Sequence, residues 1–270
     1  MTIHQDNYKL LQEHVYSRVG IVLEHDKHYL FESRLAPIVR QLGLGSINDL
    51  CSLIAANRDS EVSRNVVEAM TTNETFFFRE PAHYDALHNV LLPRLTLERQ
   101  STRKFRAWSA ASSTGQEAYS LAMRLIEDGF SSWDVDILGT DFSRPVVDRA
   151  RGGIYQQLEV NRGLPAALLV RYFRRVGMDW QIGEAVRRMT RFDTIDLRAS
   201  MKMLGPFDLV FCRNVLIYFD AATKKNIVRQ IRGTLSPGGW LLLGGSETVF
   251  GVDEWFDKQC IGGTTVYVAR

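Results

Sequence analysis

The stretch KFRAWSAASSTGQEAYSLA, residues 104–122, decides the fold class of this 270-residue chain. It begins with a strand-like run, passes through small residues and takes on a helical period from about Gln116. Strand-like runs followed by polar or helical segments recur at VDILGTD (135–141), FDLVFC (207–212) and WLLLGG (240–245). This alternation predicts an α/β fold with a doubly wound parallel sheet. One stretch, residues 171–192, has glycine breaks between short runs and predicts a small antiparallel β insertion.

The chain before this alternation has the apolar period of helices. Two helical faces are predicted, at Tyr8, Leu11, Val15 and Val19, and at Phe31, Leu35, Ile38 and Leu42. Ser46 and Ser60 are predicted to cap two further helices. We therefore expect an all-helical N-terminal domain over residues 1–75, a linker helix over 76–100 and the α/β domain over 101–270.

Composition excludes several classes of protein. The 33 basic and 31 acidic side chains leave a net charge of +2, which disfavours binding to nucleic acid through counterion release. The N-terminus does not resemble a secretion signal, and no window holds 18 consecutive apolar residues. Cys51, Cys212 and Cys260 lie far apart, which argues against disulfides and metal sites. We expect a cytoplasmic protein that does not insert into a membrane and uses no metal.

Candidate functional residues follow the predicted strands, where ligands bind in doubly wound sheets. The loop at 110–117 has only one glycine, Gly115, so a dinucleotide fingerprint is absent. With Glu117 inside it, the loop suits a nucleoside-like ligand that carries an ammonium and a sulfonium, although a tight turn alone would also explain it. Asp141 is placed to accept hydrogen bonds from ribose hydroxyls, or alternatively to cap the helix before Pro145.

Two further motifs have both a functional and a structural interpretation. In MTTNETFFFRE, residues 70–80, Thr71 and Glu74 could form a capping box, and the three phenylalanines could join the helical domain to the sheet. That interpretation leaves Asn73 and Arg79 without a role. In FDLVFCRNVLIYF, residues 207–219, the structural interpretation places Arg213 in a surface ion pair and Tyr218 half-buried.

Several motifs in fixed order resemble the CheR family of chemotaxis receptor methyltransferases over nearly the whole chain. They are TTNETFFFRE (71–80), WSAASSTGQEAYS (108–120), GTDFS (139–143), FCRNVLIYF (211–219), LSPGGWLLLGGSE (235–247) and TTVYVAR (264–270). The resemblance implies a Rossmann-like methyltransferase domain that uses S-adenosylmethionine, with S-adenosylhomocysteine as product. It further implies that the acceptors are glutamate side chains of chemoreceptors, which become methyl esters in chemotaxis adaptation.

The resemblance also implies site residues. Those implied to bind the cofactor are Asn73, Thr75, Arg79, Glu117, Asp141, Asp196, Leu197, Asn214 and Val215. Arg79 and Tyr218 are implied to be catalytic, and both can orient a carboxylate through hydrogen bonds. No general base is needed, because glutamate is already ionised at neutral pH. The chain departs from the family pattern at Gln116, Ala118 and Asp196.

A basic segment follows in residues 144–191, which hold ten arginines, no lysine and four acidic residues. We expect Arg174, Arg175, Arg187 and Arg188 to contact the acidic cytoplasmic domain of a chemoreceptor, although solvated helix faces would also explain the charge. Because the insertion is short, we expect no dependence on a receptor tether, and we expect a monomer.

Two other functions are compatible with the sequence. One is a methyltransferase for another acceptor, such as RNA or a small acid. The other is a non-catalytic signalling module that binds S-adenosylmethionine or S-adenosylhomocysteine.

Overall fold

The computed structural model describes residues 3–23 and 28–270, which fall into two compact units. The first unit runs up to Thr72 and also takes in Tyr218–Thr223. The second comprises Asn73–Ile217 and Lys224–Arg270. The FFFRE motif and the strands that follow it therefore belong to one unit.

The first unit is helical. Its described helices are α1 (Gln5–Val19), α2 (His28–Gln41), α3 (Ile47–Ala56) and α4 (Glu61–Met70). The predicted caps are confirmed, since the Ser46 hydroxyl accepts from the Asp49 N–H at 3.2 Å and the Ser60 hydroxyl from the Ser63 N–H at 3.1 Å. Each cap satisfies a backbone donor that has no partner within its helix.

The predicted apolar face of α1 is confirmed, because all four of its residues are buried. On α2 the prediction is wrong in its second half. Phe31 and Leu35 are buried, but the stripe continues to Val39, and Leu42 is 41% exposed. The helix ends at Gln41, so Leu42 lies outside it, and steps of four residues keep Val39 in line with Phe31.

The second unit is built on a sheet. Its strands are β1 (Lys104–Ala110), β2 (Asp134–Asp141), β3 (Ile154–Tyr155), β4 (Phe173–Val176), β5 (Asp179–Ile182), β6 (Thr190–Thr194), β7 (Phe207–Cys212), β8 (Leu235–Leu243), β9 (Phe256–Ile261) and β10 (Thr264–Ala269). Seven of them form the main sheet in the order β6-β2-β1-β7-β8-β10-β9. The first five in this order are parallel, and β10 and β9 are antiparallel additions.

The second unit also contains helices, three of which precede β1. They are α5 (Pro81–Ala86), a π-helical turn (Leu87–Leu91), α6 (Leu92–Glu98), α7 (Gln116–Glu127), α8 (Arg144–Gly152), α9 (Gln157–Val160), α10 (Ala166–Tyr172), α11 (Glu184–Arg187) and α12 (Ala221–Thr234). The α/β prediction with a doubly wound sheet is therefore confirmed. Within the described residues, no helix has both the length and the apolar character needed to span a bilayer.

The strand order locates the ligand crevice. From β1 the chain proceeds outward on one side through β2 and β6, and then returns to the other side of β1 through β7 and β8. The residue Ala107 of β1 pairs with Ile137 of β2 on one side and with Leu209 of β7 on the other. The order thus reverses between β1 and β7, and ligands of doubly wound folds bind at the carboxyl ends of the strands at such a point.

The small antiparallel sheet has the order β3-β5-β4. Its extent differs from the predicted insertion, because Ile154–Tyr155 adds a strand from before residue 171. Thr190–Thr194, at the end of the predicted stretch, instead joins the main sheet as β6. Phe192 of this strand is buried, which provides an apolar contact that fixes β6 beside β2.

Candidate active site

The loop after β1 is bonded to the end of β2. The Ser112 N–H donates to the Thr140 carbonyl at 2.7 Å, and the Ser113 N–H donates to Asp141 Oδ2 at 2.9 Å. The Ser143 N–H donates to Asp141 Oδ1 at 3.0 Å. Burial raises the pKa of Asp141 against the effect of these hydrogen bonds. Each carboxylate oxygen can accept more than one hydrogen bond, so Asp141 retains capacity for a further donor.

Buried polar and small groups lie beside Asp141. The Ser112 hydroxyl is buried and has no hydrogen-bond partner among the described residues. A Cβ at Gly139 would lie 2.5 Å from the Phe192 ring and 2.9 Å from the Ser112 hydroxyl, so only glycine fits at this point of β2. An unpaired buried hydroxyl is costly unless a ligand or water satisfies it.

Glu117 lies in the first turn of α7 and is held by two partners. The Ser109 hydroxyl donates to Glu117 Oε1 at 2.7 Å, and Arg213 Nη1 donates to Glu117 Oε2 at 2.7 Å. The Arg213 side chain is only 1% exposed. The surface ion pair considered for Arg213 from the sequence is therefore wrong, because the end of β7 turns this side chain inward against the Phe211 ring.

The segment before α5 is bonded to both of these strand ends. At one end, the Ser113 hydroxyl donates to the Asn73 carbonyl at 2.7 Å. At the other, Arg213 Nη2 donates to the Arg79 carbonyl and lies 3.4 Å from Glu80 Oε2. The guanidinium of Arg79 itself donates to the Glu74 carbonyl at 3.1 Å.

The capping box considered for this segment is wrong. Thr71 follows the end of α4, and its hydroxyl donates to the Glu68 carbonyl. Glu74 forms an ion pair with Arg162 instead of closing a helix start. Phe77 is buried in the core of the second unit, where its ring contacts those of Tyr155 and Phe173.

Backbone strain is concentrated at the same place. Six described residues other than glycine have a positive φ, and five of them surround the strand ends: Phe78, Glu80, Ala111, Ser113 and Asn214. Such conformations cost about 1–3 kcal/mol each and persist at sites where a particular geometry is required.

A carboxylate that sequence analysis did not identify organises the loop after β7. Glu247 Oε2 accepts the Asn214 N–H at 2.6 Å and the Gly244 N–H at 2.8 Å. Its Oε1 accepts the Ile217 N–H at 3.2 Å. The Asn214 side chain in turn donates to Glu80 Oε1 at 3.1 Å, which joins this loop to the segment before α5.

The remaining candidates occupy separate positions. Asp196 follows β6, where its carboxylate accepts the Arg198 N–H at 2.9 Å and pairs with the Arg198 guanidinium at 2.7 Å. Leu197 is buried. Thr75 and Val215 are both partly exposed.

Tyr218 belongs to the first unit by its contacts. Its carbonyl accepts the Val22 N–H at 2.8 Å, and its side chain is partly buried. Its catalytic assignment stays a prediction.

The basic segment divides into two groups. Six of its ten arginines pair with carboxylates: Arg144, Arg149, Arg151, Arg162, Arg171 and Arg191. The four predicted receptor contacts have no acidic partner among residues 3–23 and 28–270. Arg174 bonds to the Gln181 side chain, Arg175 lies over the Trp180 ring, and Arg187 donates to the Arg151 carbonyl.

The two units match two family models. Residues 6–71 match the CheR methyltransferase all-alpha domain, and residues 73–265 match the CheR methyltransferase SAM binding domain. The chain belongs to the CheR methyltransferase family. This CheR methyltransferase accordingly has the fold and the S-adenosylmethionine-binding domain that the motifs implied.

Similar proteins extend over the same length. This methyltransferase is 37% identical to the chemotaxis protein methyltransferase of Vibrio parahaemolyticus over 95% of its own chain and 94% of the relative. It is 38% identical to chemotaxis protein methyltransferase 1 of Pseudomonas aeruginosa over the full length of both chains. A solved structure of a TehB-like SAM-dependent methyltransferase from Corynebacterium glutamicum is 16% identical, with a TM-score of 0.37. The match covers 70% of this chain and 97% of that chain.

The residues at the crevice of this CheR methyltransferase fit S-adenosylmethionine. The Ser112 hydroxyl is a buried polar group without a partner in the described chain, and Asp141 has remaining acceptor capacity beside it. A ribose carries the hydroxyl groups that such acceptors bind. Glu117 supplies a carboxylate that is only 12% exposed, which suits a cationic group.

No functional role was predicted from the sequence for Arg213, Glu80 or Glu247 of this CheR methyltransferase. Each is a charged residue close behind an apolar run: Arg213 directly follows VFC, Glu80 follows FFF after one arginine, and Glu247 follows LLL after GGS. A charge at such a position is buried only when it has partners. Those partners are distant in sequence, which is why the pattern alone did not identify them.

Proposed function

We propose that this CheR methyltransferase transfers the methyl group of S-adenosylmethionine to glutamate side chains of chemoreceptors. The products are glutamate methyl esters and S-adenosylhomocysteine. One observation carries the proposal: a single segment, residues 73–80, is hydrogen-bonded at both of its ends. At one end it accepts from Ser113, which donates to Asp141, and at the other end it accepts from Arg213, which forms the ion pair with Glu117. Four of the implied residues, Asn73, Arg79, Glu117 and Asp141, are thus joined through this segment, Ser113 and Arg213.

The cofactor residues have distinct roles in this proposal. Asp141 accepts from the ribose hydroxyls, Glu117 receives the ammonium of the amino-acid part, and Asp196 with Leu197 flanks the adenine. The other residues proposed to line the cofactor are Asn73, Thr75, Arg79, Asn214 and Val215. S-adenosylmethionine supplies a sulfonium-bound methyl group that a carboxylate can attack directly.

The acceptor requires orientation and no proton transfer. A glutamate with an ordinary pKa near 4.3 is ionised at neutral pH, so a general base has no function in the step. The guanidinium of Arg79 and the hydroxyl of Tyr218 align the carboxylate opposite the sulfonium. Arg79 also stabilises the ionised acceptor before reaction, so its net benefit comes from alignment.

The receptor surface is proposed to include Arg174, Arg175, Arg187 and Arg188. Within the part of the chain that the structure describes, none of these four arginines forms an ion pair with a carboxylate, so their charges can attract an acidic partner. We propose the cytoplasmic domain of a chemoreceptor as that partner, with the enzyme acting in the cytoplasm as a monomer and without a receptor tether.

The test is transfer of radiolabelled methyl groups from S-adenosylmethionine to receptor-containing membranes. We expect label in the receptor that is released by mild alkali, because carboxylate methyl esters hydrolyse under those conditions. Label that resists alkali would contradict a glutamate ester and favour another acceptor. Tight binding of S-adenosylhomocysteine with no transfer to several receptors would favour a non-catalytic signalling module.

A further inference from the structure

Arg213 is the centre of a buried charge cluster at the carboxyl end of β7. Its Nη1 donates to Glu117 at 2.7 Å, its Nη2 donates to the Arg79 carbonyl, and Glu80 lies 3.4 Å away. The side chains of Glu117 and Glu80 are 12% and 28% exposed, against 1% for Arg213. One arginine therefore joins α7 and the segment before α5 to the end of a central strand.

The cluster does not balance its own charge. Arg213 contributes one positive charge, and Glu117 and Glu80 contribute two negative charges. The neighbouring His83 is buried, and burial lowers its pKa to about 4, so it is neutral near pH 7. With both carboxylates ionised the sum is one negative charge in a largely buried cluster, which favours a ligand group of opposite charge.

We propose that Arg213 is a positioning residue of the methyl-transfer site, which holds Glu117 ready for a cationic ligand group and fixes the backbone of Arg79. The ligand group is the ammonium of the amino-acid part of S-adenosylmethionine. This inference rests on the proposed function, in which Glu117 receives that ammonium.

The need for an arginine follows from the surroundings of Glu117. Burial raises the pKa of Glu117, while the Arg213 charge and the Ser109 hydroxyl oppose that rise. Glu80 adds negative charge and raises the pKa further, and Tyr84 of α5 faces the same cluster. Without Arg213, Glu117 would take up a proton more readily and would lose its attraction for an ammonium group.

The planar guanidinium also has a geometric task. Two of its nitrogens reach groups on different segments, a carboxylate and a backbone carbonyl. A lysine keeps the positive charge but cannot hold both groups in one fixed arrangement. Arg213→Met therefore removes both the positive charge and the guanidinium, whereas Arg213→Lys keeps the charge and removes only the planar guanidinium.

The experiment compares S-adenosylhomocysteine with adenosine, which lacks the amino-acid part, by calorimetry at pH 6, 7 and 8. For Arg213→Met we expect about tenfold weaker binding of S-adenosylhomocysteine at pH 7, with adenosine affinity within about twofold of wild type. We expect the deficit to be larger at pH 6 than at pH 8, because loss of the Arg213 charge raises the pKa of Glu117 further. For Arg213→Lys we expect nearly normal binding but about tenfold slower methyl transfer.

Three results would overturn the inference. The first is a folded Arg213→Met protein that binds S-adenosylhomocysteine with wild-type affinity. The second is an Arg213→Met protein that loses as much affinity for adenosine as for S-adenosylhomocysteine. The third is an Arg213→Lys protein that transfers methyl groups at the wild-type rate. This variant carries the test if circular dichroism shows that Arg213→Met does not fold. A wild-type enzyme that binds both ligands equally would instead contradict the proposed role of Glu117 itself.

Discussion

The two ends of β7 each carry a buried charged residue paired across to a neighbouring element, but they differ in how the charge is balanced. Near the start of the strand, Asp208 accepts from Arg99 at 2.9 Å and from the Arg106 N–H at 2.9 Å. The Arg99 side chain is 39% exposed, so water shares in its solvation. Beyond the last residue of the strand, Arg213 is 1% exposed and is shared by two carboxylates.

Backbone strain also differs between the two ends of the sheet. Five residues other than glycine hold a positive φ around the carboxyl ends of the strands, whereas Arg103, just before β1, is the sixth such residue in the described chain. Strain and unbalanced buried charge both reduce stability, and a fold retains them where a ligand needs a fixed geometry. We therefore expect substitutions at one end of the sheet to affect stability and substitutions at the other end to affect ligand binding.

The largest effect is expected at Asp141. Asp141→Ala removes a charged acceptor and should weaken S-adenosylhomocysteine binding by about 1–3 kcal/mol in calorimetry. Asp134→Ala is the matched control, because Asp134 is a carboxylate at the opposite end of the same strand. Its side chain is exposed and forms a surface ion pair with Lys104 at 3.8 Å. Unchanged affinity in Asp141→Ala would mean that this carboxylate serves only to hold the loop after β1 and the loop after β2 through Ser113 and Ser143.

A similar but smaller effect is expected on catalysis at Arg79 and Tyr218. Arg79→Ala and Tyr218→Phe should each slow methyl transfer about tenfold, which corresponds to about 1.4 kcal/mol, while S-adenosylhomocysteine affinity changes much less. Arg162→Ala is the control for the first, because the guanidiniums of Arg79 and Arg162 both lie over the Phe76 ring, at 5.5 Å and 4.4 Å from its centroid. Loss of cofactor binding in Arg79→Ala would place its role in the cofactor pocket.

The opposite end of the sheet should respond in stability alone. Arg99→Met leaves the buried Asp208 with one partner fewer and should lower the free energy of unfolding by about 1 kcal/mol in urea denaturation. Affinity for S-adenosylhomocysteine should equal that of the wild type. A weakened affinity would show that the two ends of β7 do not act independently.

The smallest effect is expected outside both ends, at the unpaired arginines. Charge reversal at Arg174, Arg175, Arg187 and Arg188 should slow transfer a few-fold at low receptor concentration and should reduce its dependence on salt. Arg144→Glu is the control, because Arg144 already lies 3.9 Å from Asp148. Rates and salt dependence like those of the wild type would contradict a steering role.

Local signals in the sequence predicted most of the fold. The helix start at Gln116 and the caps at Ser46 and Ser60 depend on residues a few positions apart, and all three are confirmed. The antiparallel strands β9 and β10 were not predicted, because their pairing with β8 depends on contacts across the sheet edge.

The fold class, the family and the residue types at the strand ends follow from the amino-acid sequence, because periodicity and motif order are properties of neighbouring residues. Three features depend on contacts between distant segments and became visible in the folded chain: Arg213 is buried, it reaches Glu117 over 96 positions and Arg79 over 134, and Glu247 organises the loop after β7. The cost of burying a charge is set by the groups around it in space. Those groups come together only when the parallel strands end side by side.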